Sequence, residues 1–163
     1  MVRLRYFLSQ ALKPYQVDGV LPNLMLLFPR VFMGFLLAFI FSNELLGTPW
    51  SDEGLQFLQV APWFVEKVSD FGMPFSLMPK AFAWSAAITT ALGGILLILG
   101  MNTRITCFFI VCTKFITILF RAWDGSWDIL PVFSIFCFGL FFMGFGAGKY
   151  SLDYYIVNRF HLG

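Results

Sequence analysis

Charge is what this chain has least of: Asp, Glu, Lys and Arg make up only 12% of its 163 residues, about half the share found in soluble domains. So few charges cannot cover a water-facing surface of this size, which excludes an ordinary soluble globular protein. Histidine is almost missing as well. His161 is the single one, and at the end of the chain it reads as a solvated tail residue rather than a ligand. The three cysteines, Cys107, Cys112 and Cys137, form no CxxC pair and no Cys/His metal spacing. Cys107 and Cys112 stand about 140° apart round a helix, so all three read as small buried hydrophobes. No metal and no intrinsic cofactor is therefore expected. No basic run is interleaved with aromatics, so nucleic acid is not an expected partner.

Apolar residues are abundant: 59% of the chain is hydrophobic and 20% aromatic, with a mean hydropathy of +0.79. Runs long enough to cross a bilayer's hydrocarbon layer fall at about 24–46, 81–100, 104–121 and 129–147, separated by polar punctuation rather than strand-like alternation. The pattern predicts an all-α integral membrane protein: a four-helix bundle, up-down-up-down, forming a single domain over 1–163 with the lipid bilayer as its solvent. The second and third runs are joined by Met101-Asn102-Thr103-Arg104 alone. Gly100 and Asn102 suit a helix stop, Thr103 can cap the next helix, and Arg104 can anchor it at the headgroups.

Orientation follows from the cations. One side holds Arg3, Arg5, Lys13, Arg30, Arg104, Lys149 and Arg159, and the other only Lys67, Lys80 and Arg121. By the positive-inside rule both termini should be cytoplasmic, with Arg30, Arg104 and Lys149 as cytoplasmic anchors and Arg30 snorkelling to the headgroups. Residues 1–20 lack a continuous apolar core before Lys13-Pro14, so they read as a cytoplasmic interfacial helix rather than a cleavable signal. Asn23, after Pro22, is a plausible cap of the first span, and Pro29 falls near enough to its start to be tolerated.

Between the first two spans, 51–71 mixes apolar residues with Asp52, Gln56, Gln59, Glu66, Lys67 and Asp70. If the helical phase carries across Pro62, the polar residues fall within an arc of about 100°. An amphipathic interfacial helix, or two short ones kinked at Pro62, is predicted there, with Trp50 and Trp63 at headgroup level. Gly72-Met73-Pro74 ends it.

Two polar features lie inside the spans. Arg30, Gly34, Leu37, Phe41 and Glu44 share one stripe of the first, and Glu44 is the acid among the predicted spans. The third carries Lys114 about 15 Å above Arg104, near mid-membrane, where an ammonium group needs a partner, a wet cavity or a lost proton. Arg121 ends the same stripe, and Thr113 and Thr117 adjoin it. A structural ion pair and a ligand-binding cavity both explain such a face. Lys114 should point inward, within reach of Glu44 or of Thr89 and Thr90. The second span's small residues, Ser85, Thr89, Gly93 and Gly94 among them, suit close helix packing, though Thr89 and Thr90 could instead line a polar pocket.

The end of the fourth span reads Gly146-Ala147-Gly148-Lys149-Tyr150-Ser151-Leu152-Asp153. It resembles the closing signature of the DoxX family. Arg30 with Gly34, Gly72-Met73-Pro74, Gly93-Gly94, Gly100 and Thr103-Arg104 also resemble that family's motifs, over about 24–156. The resemblance implies a multi-pass protein of the bacterial inner membrane, linked in several relatives to thiol or sulfur oxidation, quinone reduction or larger oxidoreductase assemblies. The chain departs from the family where a histidine-glycine pair and a lysine are common late in the first helix, reading Ile40, Phe41 and Glu44 instead. It also departs near Thr90, where a glutamate is common. Three roles follow as expectations: an accessory or structural subunit of a membrane redox or maturation system, with other membrane or extracytoplasmic subunits as partners; a quinone-linked oxidoreductase subunit with its polar site at Lys114; or a small solute or proton carrier.

Overall fold

The computed structural model describes residues 19–49, 56–120 and 129–159. Residues 1–18 of the predicted interfacial segment 1–20, Trp50, residues 51–55 of the predicted amphipathic stretch, most of the outer turn around Arg121, and His161 lie outside them. Helix α1, Val20–Leu45, is followed by α2, Pro62–Ser69, a 3₁₀ turn at Phe75–Leu77, α3 at Pro79–Leu99, α4 at Thr103–Phe120, α5 at Ile129–Phe145 and the short α6 at Leu152–Arg159. Three of these, α1, α3 and α4, are long and apolar enough to cross a membrane. α5 is apolar and shorter, with 17 residues, about 25 Å of rise. The architecture is that of a multi-pass helical membrane protein.

α1 begins four residues earlier than predicted. Asn23 is thus inside its first turn, donating its side-chain amide to Gly19 O at 2.6 Å, and Pro29 lies well within the helix rather than at its start. Further along, the helix widens into a π turn over Leu36–Phe41, where the Ser42 N–H donates to Leu37 O, five residues back, and the Ser42 hydroxyl donates to Ala38 O. The widening sits where α1 touches α3 backbone to backbone. A Cβ built on Gly94 would stand 2.5 Å from the Ala38 nitrogen and 2.8 Å from Gly34 O, and one on Gly34 would stand 2.8 Å from Gly94 O. Only glycine permits that approach. On the adjoining face, Gly93 lies against Ile110 and Thr106 of α4, so the small residues of α3 serve two neighbours.

The segment before α3 differs from the predicted amphipathic helix. Among the described residues helix starts only at Pro62, because 56–61 is held as an extended return: Leu46 and Val60 form an antiparallel bridge. Gly47 N donates to Gln59 O at 2.8 Å, and Ala61 N to Leu45 O at 3.0 Å. Proline has no N–H to give to a preceding turn but suits the first helical position, so Pro62 starts a helix instead of kinking one. Val68 turns inward while Trp63, Glu66 and Lys67 stay exposed. Phe71, Phe75, Phe82 and Phe120 then pack together, Phe71 stacked on Phe120 and the other pairs edge to face, with ring centroids 4.9 to 6.1 Å apart.

α3 ends in a Schellman cap: Gly100 adopts φ 65°, Met101 N donates to Leu96 O and Gly100 N to Leu97 O. The core joins all four long helices through Leu26, Met33 and Leu37 of α1, Leu97 of α3, Cys107 and Ile110 of α4, and Ile135 and Phe142 of α5. Phe28, Phe32, Phe108, Phe109, Phe133 and Phe141 point outward, as lipid-facing side chains do. Cys107 is buried as expected and Cys112 is half-buried. Cys137 departs from the prediction, standing exposed on the outer face of α5, because the helix turns Ile135, Gly139 and Phe142 to the core instead.

Candidate functional site

The two ends of the bundle differ. At the Gly100 end the chain is tied into a polar knot, which corrects the role expected of Arg30. Its side chain turns into the protein instead of snorkelling outward: it is 1% exposed, and its guanidinium donates to Ala147 O and, at 2.8 Å, to Tyr150 O. The reason is the chain after α5. Gly146 and Gly148 both take φ 74°, which turns 146–151 back under α1 and aims its carbonyls at the arginine. Lys149 N donates to Asn23 Oδ1 at 3.1 Å. Asp153 completes the knot, its carboxylate accepting from Asn102 N at 2.6 Å and Thr103 N at 3.1 Å, while its own N–H donates to Gly100 O at 3.1 Å. Thus Asp153 caps α4, and the Thr103 hydroxyl, expected in that role, is buried without a partner among the described residues.

At the other end lies a cavity of about 340 Å³. α1 gives it Phe41, Glu44 and Leu45; α2 gives Trp63, Phe64 and Lys67; α3 gives Ser85 and Thr90; and α4 gives Thr113, Lys114 and Thr117. The walls are mostly aromatic and aliphatic. Polar groups are few and aimed by local bonding: the hydroxyls of Thr90, Thr113 and Thr117 each donate to the carbonyl four residues back, at 2.9 to 3.0 Å. A hydroxyl whose proton is used this way keeps acceptor lone pairs for the cavity. Lys67 Nζ sits 5.7 Å from the Trp63 ring centroid, in cation–π range. Glu44, Lys67 and Lys114 thus line one mostly apolar cavity, with Glu44 and Lys67 at its exposed edge and Lys114 half-buried.

With this geometry in view, residues 25–123 match the family described as DoxX. The chain belongs to the DoxX family. No curated protein and no solved structure matches it. The DoxX match runs from α1 to just past α4 and so takes in most of the cavity, whereas the Gly146 to Asp153 knot lies beyond it.

Of the residues singled out in the sequence, Lys114, Glu44 and Thr90 come together in the cavity. Thr89 is not in the cavity lining; its hydroxyl donates to Ser85 O on its own helix at 2.7 Å. Arg121 is outside the described residues. Arg104 is half-buried at the start of α4. Sequence reasoning missed Lys67 and Trp63 as cavity residues. Their spacing of four on one helix was the available signal, but both were read as interfacial.

The knot carries a direct expectation for Asp153. Asp153→Ala should lose about 2 kcal/mol, the upper range for a helix cap with charge-assisted bonds. Asp153→Asn, which keeps one acceptor oxygen, should lose about half of that. Thermal unfolding in detergent micelles reads the difference.

Proposed function

We propose that this DoxX chain is a subunit of a membrane redox or maturation assembly whose Lys114 cavity receives the oxygen-bearing headgroup of a quinone-type ligand. The observation that carries the reading is the meeting of Lys114, Glu44, Lys67 and threonine hydroxyls inside aromatic walls in one 340 Å³ space. That size and mix, apolar walls with a few convergent polar groups, is what small-molecule sites present. An ammonium group offers three donors to a carbonyl oxygen, the threonine lone pairs accept from a hydroxyl, and Phe41, Phe64 and Phe82 offer faces to a flat ring. A bound quinone would supply acceptance of electrons and protons; the chain's own residues would bind and orient it. Electrons would come from a partner subunit, since the sequence contains no CxxC, no haem-type histidines and no nucleotide fingerprint. The reading puts the Gly100 end at the cytoplasmic side of a bacterial inner membrane, supported by the excess of Lys and Arg in the sequence at that end.

The test is binding. In nanodiscs, titration with decyl-ubiquinone followed by tryptophan quenching should saturate. Lys114→Met should weaken it about tenfold or more, the loss of one charge-assisted hydrogen bond, with an unchanged unfolding temperature. A linear, non-saturating response in the unsubstituted protein would defeat the quinone reading and leave the accessory role, in which the chain only docks other subunits. A carrier role would show itself separately, as flux in liposomes holding this chain alone.

A further inference from the structure

Among the described residues, Lys114 makes no hydrogen bond and no ion pair, although it is half-buried and lines a mostly apolar cavity. Arg30 is treated differently: buried at the opposite end, it reaches two carbonyls and faces the Asp153 carboxylate. A cation withdrawn from water needs such partners, and the helices around the cavity give Lys114 none. α3, α4 and α5 contain no Asp or Glu. α1 contributes Glu44 and α2 contributes Glu66. Glu66 is not in the lining, and Glu44 stands at its exposed edge without bonding to Lys114. Lys67, at the same edge, offsets Glu44 in the charge balance, so two Lys and one Glu leave the described lining with a net charge of +1.

The hydrogen-bond balance points the same way. Ser85, Thr90, Thr113 and Thr117 all commit their hydroxyl protons to carbonyls of their own helices. The donors that remain for an occupant are the two ammonium groups and the Trp63 indole N–H. An anionic oxygen, which only accepts, matches that set and supplies the charge that Lys114 lacks.

We infer that the occupant of this cavity is an anion whose ionised oxygen sits against Lys114 while its apolar body lies along the aromatic walls. The inference rests on the cavity being a ligand site, as proposed above, and adds the ligand's charge; among quinones it selects rings that carry an ionised hydroxyl. Lawsone, a hydroxynaphthoquinone ionised at neutral pH, is compared with its uncharged methyl ether by calorimetry on the full chain in phosphatidylcholine nanodiscs, corrected against empty discs. Lawsone should bind about tenfold more tightly than the ether, the difference between a charge-assisted and a neutral hydrogen bond. Lys114→Met should remove that preference. Lys114→Gln, which keeps a polar head in case the methionine variant does not fold, should remove it as well, while Lys80→Gln, outside the lining, should leave it in place. Decanoate, an acid with no ring, separates this inference from the quinone reading. Lys114-dependent binding of decanoate without binding of lawsone would uphold the anion site and remove the quinone. Equal affinity for lawsone and its ether would overturn the anion site and leave the quinone reading standing. A preference for lawsone that survives in both Lys114 variants, or no binding of any of the three compounds, would overturn it too.

Discussion

Arg30→Ala should be the most damaging side-chain truncation in this protein, costing about 3–5 kcal/mol, the range for removing one partner from a buried charged network. The substitution strips donors from Ala147 O and Tyr150 O and leaves the buried Asp153 carboxylate without the opposite charge that faces it. The loss would be felt in all four long helices, because the 146–153 turn holds α5 to α1 and caps α4 at once. Arg30→Lys should recover less than half of the stability: one ammonium cannot reproduce a fork that reaches two carbonyls. Phe28→Leu, two residues away but 74% exposed, should be nearly neutral. Unfolding in mixed micelles of rising dodecyl sulfate content separates these outcomes. A loss below about 1 kcal/mol for Arg30→Ala, well short of the buried-network range, would show that the turn is held by something else.

Gly94→Leu should be as severe for a different reason. The atoms a Cβ would meet at Gly94 are the Ala38 nitrogen, Gly34 O and the Ala38 Cα, all within 2.9 Å. These are backbone atoms of a neighbouring helix, so no rotamer change relieves the overlap. Overpacking commonly costs about 1–3 kcal/mol when side chains can yield; here α1 must move away bodily, and the loss should exceed about 3 kcal/mol or prevent folding. Gly94→Ala should already be harmful. By contrast Gly144, on the outer side of α5, has no neighbour within 4 Å of the point where a Cβ would stand, and Gly144→Ala should be neutral or gain up to about 1 kcal/mol of helix propensity. Comparing folded yield and unfolding for the two alanine variants checks the crossing directly.

What the sequence disclosed was set by how local the cause was. The spans follow from uninterrupted apolar length, a property of neighbouring residues, and the Gly100 stop from the demand for a left-handed residue there. Arg30 was legible as a cation in a span but not as a knot, because its acceptors lie 117 and 120 residues further on. Snorkelling was the answer that neighbours alone could give. Lys114, near mid-span, could be put within reach of Glu44 by counting turns, and the two line one cavity. Lys67 could not, since its place depends on the bridge between Leu46 and Val60 that folds α2 over the cavity. The π turn was hidden too: it arises where α1 meets Gly94, and nothing in Leu36–Phe41 itself signals it.

Among the described residues, the side-chain hydrogen bonds that join distant parts of the chain gather at the Gly100 end, and in lipid that has a mechanical meaning. Parting two greasy helix faces swaps protein contacts for acyl tails of much the same kind, so it meets little resistance wherever no polar tie is broken. The Arg30 and Asp153 ties make the Gly100 end a pivot, so any parting of the long helices would open the Lys114 cavity first.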